Sequence, residues 1–351
     1  YFEGRIPAAY GRLSSLKYLG LAGNLLTGEI PPELAALSHL EYLFIGYNEY
    51  SGGIPAEFGN LTNLQYMDLC CTNLSGPIPP EIGNLKQLNT LFLYRNELSG
   101  HIPPELGRMA SLMSLDLSVN NLAGAIPEEL GELKSLTLLS LMYNNLSGPI
   151  PQGIGLLPNL LTLLIWNNSF SGELPQQLGT SSPLQWLDVS SNLFQGPIPS
   201  NLCLHSNLTK LILFSNRFSG PIPPSLARCQ SLLRVRIQDN ALSGTIPLGF
   251  GTLPKLTRLE LQLNNLIGNI PGDFSGSNSN GSTLSGHNSS KLSYLDLSYN
   301  FLDGALPMNI WSLPSIQSFL AAGNNLSGPI ADDFGLCSTL AVLDLSENRF
   351  S

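Results

Sequence analysis

The stretch from Leu88 to Leu112, LNTLFLYRNELSGHIPPELGRMASL, carries the pattern on which nearly the whole chain is written. Leu91 and Leu93 alternate with Phe92. An alternation of period two predicts a short strand with both leucines inward and the middle residue outward. Asn96 follows, then Gly100, Ile102 and Pro103, then a second apolar group around Leu106. The asparagine recurs as Asn24, Asn48, Asn120, Asn144, Asn168, Asn192, Asn216, Asn240 and Asn264, at multiples of 24 residues, with Thr72 in the one remaining place. After a slip of 12 residues it resumes as Asn300, Asn324 and Asn348, giving 14 rungs. No rung of this length can bury its apolar face alone, so rungs must stack on a shared core. The expected fold is one α/β repeat solenoid over residues 1–351, with a concave parallel β-sheet.

The punctuation of the repeat has distinct jobs. The asparagine side chain can bond the backbone of the turn that follows, and stacked copies make a continuous ladder. Glycine permits a tight bend, and proline fixes φ where the chain leaves the strand. Thr72 offers a hydroxyl but no amide, so its rung is expected to be the weaker one. The slip falls in residues 272–290, GDFSGSNSNGSTLSGHNSS, expected to be a surface loop insertion that leaves the register of the core intact. Both ends of the chain fall inside a repeat, so it reads as a piece of a longer ectodomain.

Charge narrows the functional classes. A net charge of −9 argues against nucleic acid and anionic membranes as partners. No run of 18 apolar residues is present to span a bilayer. Cys203 and Cys229 precede the strands of neighbouring rungs and can lie close enough to bridge. Cys70 and Cys71 read as free thiols, and Cys337 takes the place in its rung that Cys229 takes in its own. No CxxC pair exists and His39, His101, His205 and His287 are scattered, so no metal site is expected. Glycosylation triplets occur at Asn60, Asn73, Asn145, Asn167, Asn207, Asn280, Asn288 and Asn325, and together with the bridge they favour secretion.

Nothing in the chain reads as catalytic. Asp333-Phe334-Gly335 spells the metal-binding triplet of kinases, but it fills an ordinary repeat slot without the glycine-rich loop, lysine or HRD that the chemistry requires. The aspartates of the strands fall one per rung and form no acid–base pair. Function is therefore expected from what the strands display, at positions six, four and two before each asparagine. These carry Tyr42, Phe44, Tyr66, Asp68, Phe92, Tyr94, Asp116, Trp166, Trp186, Asp188 and Phe214, a stripe suited to an extended peptide. Lys210, Arg234 and Arg258 share one outward position on three successive rungs, and Arg236 stands on the same face as Arg234. Stacked like charges are unfavourable without a counter-ion, and a guanidinium fork suits a carboxylate. Glu260 is expected beside Arg236, with Asp239 close, enough to neutralise one arginine and not the column.

Arg234-Val235-Arg236 resembles the R-x-R motif of plant peptide-hormone receptor kinases. The IP after the glycine of most rungs is similar to the plant-specific class of leucine-rich repeat, which builds a right-handed twisted superhelix. YFEGRIPAAYG, IGYN at Ile45–Asn48, LILFSN at Leu211–Asn216 and GTIPLGFG at Gly244–Gly251 are most similar to the TDIF-receptor branch of the CLE-peptide receptors, with the CLAVATA type next. The resemblance implies the ectodomain of a single-pass membrane receptor kinase, on the extracellular face of the plasma membrane. Its implied ligand is a CLE-type dodecapeptide, extended along the inner surface past Tyr47, Asp68, Phe92, Tyr94, Asp116, Trp166 and Asp188, with its C-terminal carboxylate on Arg234 and Arg236. The implied partner is a SERK-type co-receptor kinase, with no cofactor. The alternative of another class is a secreted leucine-rich-repeat inhibitor of a cell-wall-degrading enzyme.

Overall fold

The structure, a computed structural model, describes residues 1–275, 290–307, 310–330 and 337–351. Two compact units, Tyr1–Ser182 and Pro183–Ser351, make up the chain. In the first, seven three-residue strands run in parallel, from Tyr18–Gly20 and Tyr42–Phe44 through Tyr66–Asp68, Thr90–Phe92, Ser114–Asp116 and Leu138–Ser140 to Thr162–Leu164. Each pairs with the next at an offset of 24 residues, as in Phe44 with Asp68 and Asp68 with Phe92. The second unit repeats the scheme with Trp186–Asp188, Lys210–Ile212, Arg234–Arg236, Arg258–Glu260, Tyr294–Asp296, Ser318–Leu320 and Val342–Asp344. Across the slip Arg258 pairs with Tyr294, so the extra residues leave the register of the strands unbroken.

The period-two reading holds at the inward positions: Leu91, Leu93, Leu115, Leu117, Leu211 and Leu213 are wholly buried. The asparagines form the ladder. Asn120 donates from Nδ2 to the carbonyls of Leu93, Leu117 and Ser118 at 3.0, 3.0 and 3.2 Å. Its Oδ1 accepts the amide of Leu98 at 3.0 Å. Thr72, wholly buried, places its hydroxyl 2.9 Å from both the Leu69 carbonyl and Asn96 Oδ1. One proton cannot serve the carbonyls that an amide serves, so this rung carries fewer bonds.

The residue before each ladder position lies in the left-handed region, at φ 53–57° for Tyr47, Cys71, Arg95, Val119, Tyr143 and Asn167 in the first unit. After the ladder the chain makes a second set of short parallel pairs that end on glycines such as Gly100 and Gly124 at φ 77° and 81°. The back of most rungs described is a 3-10 turn rather than an α-helix, as at Pro80–Asn84 and Pro104–Arg108, with one short α-helix among the described residues at Gln152–Gly155. Adjacent turns approach so closely that a Cβ on Gly83 would collide with the carbonyl of Glu105.

The span expected as a loop, 272–290, begins later than its composition suggests. Gly272–Ser275 is a 3-10 turn, Phe274 is wholly buried, and Asp273 Oδ2 accepts the amides of Gly249 and Gly251 at 2.7 and 3.1 Å. Those four residues are repeat framework because Phe274 fills the core place of the preceding rungs' Phe250. The rest of the span up to residue 289, with Asn280 and Asn288, lies outside the described residues, as does Asp333-Phe334-Gly335. Among the described residues no helix is long and apolar enough to cross a membrane.

Candidate functional site

The outward positions of the first unit carry a connected aromatic column. Tyr18 and Phe44 lie 5.2 Å apart between ring centroids, Phe44 and Tyr66 4.4 Å, Tyr66 and Phe92 5.8 Å, and Phe92 and Tyr94 5.9 Å. Each such pair contributes about 0.5–1.5 kcal/mol beyond the area it buries, so the column is partly self-packing. It also remains accessible: Tyr18, Tyr42 and Tyr47 are 58, 37 and 53% exposed. Tyr47 stands in the left-handed turn after its strand and reaches the hydroxyl of Tyr94 at 3.1 Å. Farther along, Trp166 meets Tyr143 edge-on at 4.4 Å.

The aspartates of this unit are tied locally. Asp68 accepts the amide of Cys70 at 3.0 Å, and Asp116 accepts the amide and hydroxyl of Ser118 at 2.9 and 2.6 Å. Cys70 and Cys71 are free thiols. Burial and a bond to Asp68 push the Cys70 thiol well up, which keeps it protonated and inert. Cys203 and Cys229, by contrast, form a disulfide with 5.9 Å between their Cα atoms, in the second unit. The sequon asparagines Asn60, Asn73, Asn145, Asn167, Asn207 and Asn325 are all exposed.

In the second unit the basic residues line up as the register requires. Lys210 pairs with Arg234 and Arg234 with Arg258 on successive strands. Three of the four cations are fixed by neighbours: Lys210 lies 3.7 Å over Trp186, Arg236 4.7 Å over Phe214, and Arg258 3.8 Å over Tyr294. Glu260 does more than expected. Its side chain is only 4% exposed and accepts Nε of Arg236 at 2.9 Å and Nε of Arg258 as well, so it holds two arginines rather than one. Asp239 turns to the hydroxyl of Ser215 at 2.8 Å instead of joining them. Arg234 is exposed, and no carboxylate or ring among the described residues engages it.

Asp188, proposed to line a ligand path, is only 8% exposed and accepts the hydroxyl and amide of Ser190 at 2.7 and 3.2 Å. Burial raises its carboxyl pKa, against the opposing pull of Ser190 and the Arg236 charge. At the same position Ser140, Glu260 and Asp296 are covered too, while Asp68 and Asp116 are half-buried. Trp311, unlike Trp166 and Trp186, is a core residue packed edge-on against Phe319. Sequence reasoning missed Tyr294, which shares the outward position of Arg234 and Arg258. It lies six residues before Asn300, so the count from the asparagines reaches it.

A leucine-rich repeat region model matches residues 7–122 and 55–308, and the chain belongs to the leucine-rich repeat family. Among solved structures it is similar to a TDR receptor at 46% identity, over all of this chain and 63% of that one, with a TM-score of 0.91. It is also similar to the Arabidopsis receptor kinase HAESA, solved with the peptide hormone IDA and the co-receptor SERK1, at 36% identity over 99% of this chain and 64% of that one, TM-score 0.76. A third is the plant peptide hormone receptor RGFR1 in complex with RGF2, at 32% identity over 99% and 65%, TM-score 0.75. The chain thus spans a little under two thirds of each. No curated protein matches it.

Proposed function

We propose that this chain is the extracellular hormone-binding part of a plant membrane receptor kinase. Its ligand is an extended CLE-type peptide of about a dozen residues. The observation that carries the reading is Arg234: an exposed, uncommitted guanidinium flanked on both neighbouring strands by cations already held in place. Such a group offers a planar fork to a carboxylate. Arg236, oriented by Glu260 and Phe214, keeps its terminal nitrogens for the same anion.

The aromatic column of the first unit offers surface to the apolar side chains of the peptide. Similarity to TDR, HAESA and RGFR1 favours a receptor over a secreted enzyme inhibitor. HAESA was solved with SERK1, which supports a SERK-type co-receptor as the partner here. The exposed sequons suit a glycosylated ectodomain. Calorimetry of the chain against a panel of CLE-type dodecapeptides tests the proposal. At least one peptide is expected to bind, and Arg234→Ala and Arg236→Ala are each expected to weaken it tenfold or more, about the worth of a charged hydrogen bond. Unaltered binding in both variants would remove the anchor.

A further inference from the structure

Along one edge of the first unit, just before its strands, inward and outward residues alternate. Leu88, Leu112 and Leu136 are wholly buried, so the residues on either side of each turn outward. Gln65, Asn89, Met113 and Thr137 form one outward row, and Gln87, Ser111, Ser135 and Asn159 the other, around a groove of about 680 Å³. The first row is held firmly. The amides of Asn89, Met113 and Thr137 each donate to the carbonyl of the preceding member of the row at 2.8 Å. None of the eight residues is charged. Lys86 and Lys134, next in the chain to Gln87 and Ser135, spend their Nζ groups on backbone: Lys86 on the carbonyls of Gly83 and Arg108 at 2.9 Å, and Lys134 on that of Gly131 at 2.6 Å.

The groove presents donors at one end and acceptors at the other. Gln65 and Asn89 accept the hydroxyls of Tyr42 and Thr90 at 3.4 and 3.0 Å, which leaves both side-chain NH2 groups free to donate. The side chains of Gln87 and Ser111 are exposed and bond to nothing among the described residues. Ser135, Thr137 and Asn159 donate to the carbonyls of Ala110, Met113 and Lys134 at 2.9, 2.9 and 2.8 Å, which leaves their side-chain oxygens to accept. Between the two sets the exposed thioether of Met113 offers an apolar patch. This is the complement of a sugar, whose hydroxyls both donate and accept and whose ring carries apolar C–H faces. An ion finds no counter-charge there, and an apolar molecule would strand the polar groups. The rows advance by roughly 4.8 Å per rung, about one pyranose ring of an extended chain. We propose that this groove binds a neutral, extended, β-linked oligosaccharide, one ring to a rung, independently of any peptide on the inner face.

The test is titration of the whole chain with cellopentaose, a linear β-linked glucose pentamer, read by calorimetry and by the NMR signals of methyl-labelled methionine. Met113→Leu assigns the Met113 signal. A dissociation constant of about 1 mM or tighter is expected, the scale of a few net hydrogen bonds. The Met113 methyl is expected to shift, while those of the wholly buried Met67 and Met109 stay. Gln87→Ala removes a side chain that supports nothing in the fold. It is expected to weaken the sugar about three- to tenfold, the scale of one neutral hydrogen bond, and to leave peptide binding unchanged. Maltopentaose, the α-linked isomer that coils instead of extending, is expected not to bind. An unmoved Met113 signal, equal affinity for the two pentamers, or wild-type affinity in Gln87→Ala overturns the inference.

Discussion

Replacing Asn264 by alanine probes the ladder where its bonds can be counted. Asn264 is 5% exposed and donates to the carbonyls of Ile237, Leu261 and Gln262 at 3.1, 3.1 and 3.3 Å. Its Oδ1 accepts the amide of Leu242 at 3.0 Å. The three carbonyls keep other donors: Asn240 for Ile237, Asn300 for Leu261 and the amide of Asp239 for Gln262. The Leu242 amide, on a wholly buried residue, has its acceptor removed. A stranded buried donor costs about 1–3 kcal/mol, and the three shared bonds add less than a typical bond each, so the loss should be roughly 2–4 kcal/mol. Hydrogen exchange at Leu242 reads it directly: protection should fall by about 30-fold to 1,000-fold, at a factor of ten per 1.4 kcal/mol. Asn264→Asp, which keeps the acceptor but turns a charge toward three carbonyls, should be worse than alanine. Protection of Leu242 within threefold of wild type in Asn264→Ala would refute the idea that the asparagine column holds the turns.

Other outcomes follow from single features. Replacing Cys203 and Cys229 together by serine opens a loop of 26 residues and should cost about 3.5 kcal/mol in urea unfolding; a loss under 1 kcal/mol would mean that the unfolded chain gains little freedom. Val119 holds φ 55° with a branched side chain at 39% exposure, so Val119→Asn should raise stability by about 1 kcal/mol, and a fall would show that its side chain makes contacts worth more than the strain. Burial raises the carboxyl pKa of Asp188, Asp273 and Asp296. The folded state then binds their protons more tightly than the unfolded state does. Their contribution to stability therefore falls as pH rises from 3.8 through the raised values, and it improves as pH drops back. In Asp188→Asn the change in urea midpoint between pH 4 and pH 7 should lose that share, and an identical change would refute it.

The repeat was legible because one offset of 24 residues governs both the buried leucines and the asparagines, whose bonds recur from rung to rung. The same offset placed Lys210, Arg234 and Arg258 in one row, since parallel strands in fixed register align equal positions. Depth was less legible. Alternation assigns Asp188 and Glu260 to the outward face, but their exposure depends on the bulk of side chains on neighbouring strands, which spacing does not measure. The left-handed turns at Tyr47 and Val119 gave no signal, because residues as unlike as Tyr47, Cys71, Arg95, Val119 and Leu263 occupy that place. Phe274 was obscured by the polar segment that follows it, whereas Tyr294, six before Asn300, was within reach of the count.

The central claim is that Arg234 receives the free carboxylate of a peptide. Calorimetry with one binding dodecapeptide, as free acid and as C-terminal amide, on wild type and on Arg234→Gln, isolates that contact. Amidation should cost wild type about 1.5–3 kcal/mol and cost the variant much less, so that the two changes are coupled. Equal affinity of wild type for acid and amide, or the same loss on amidation in Arg234→Gln, would contradict it.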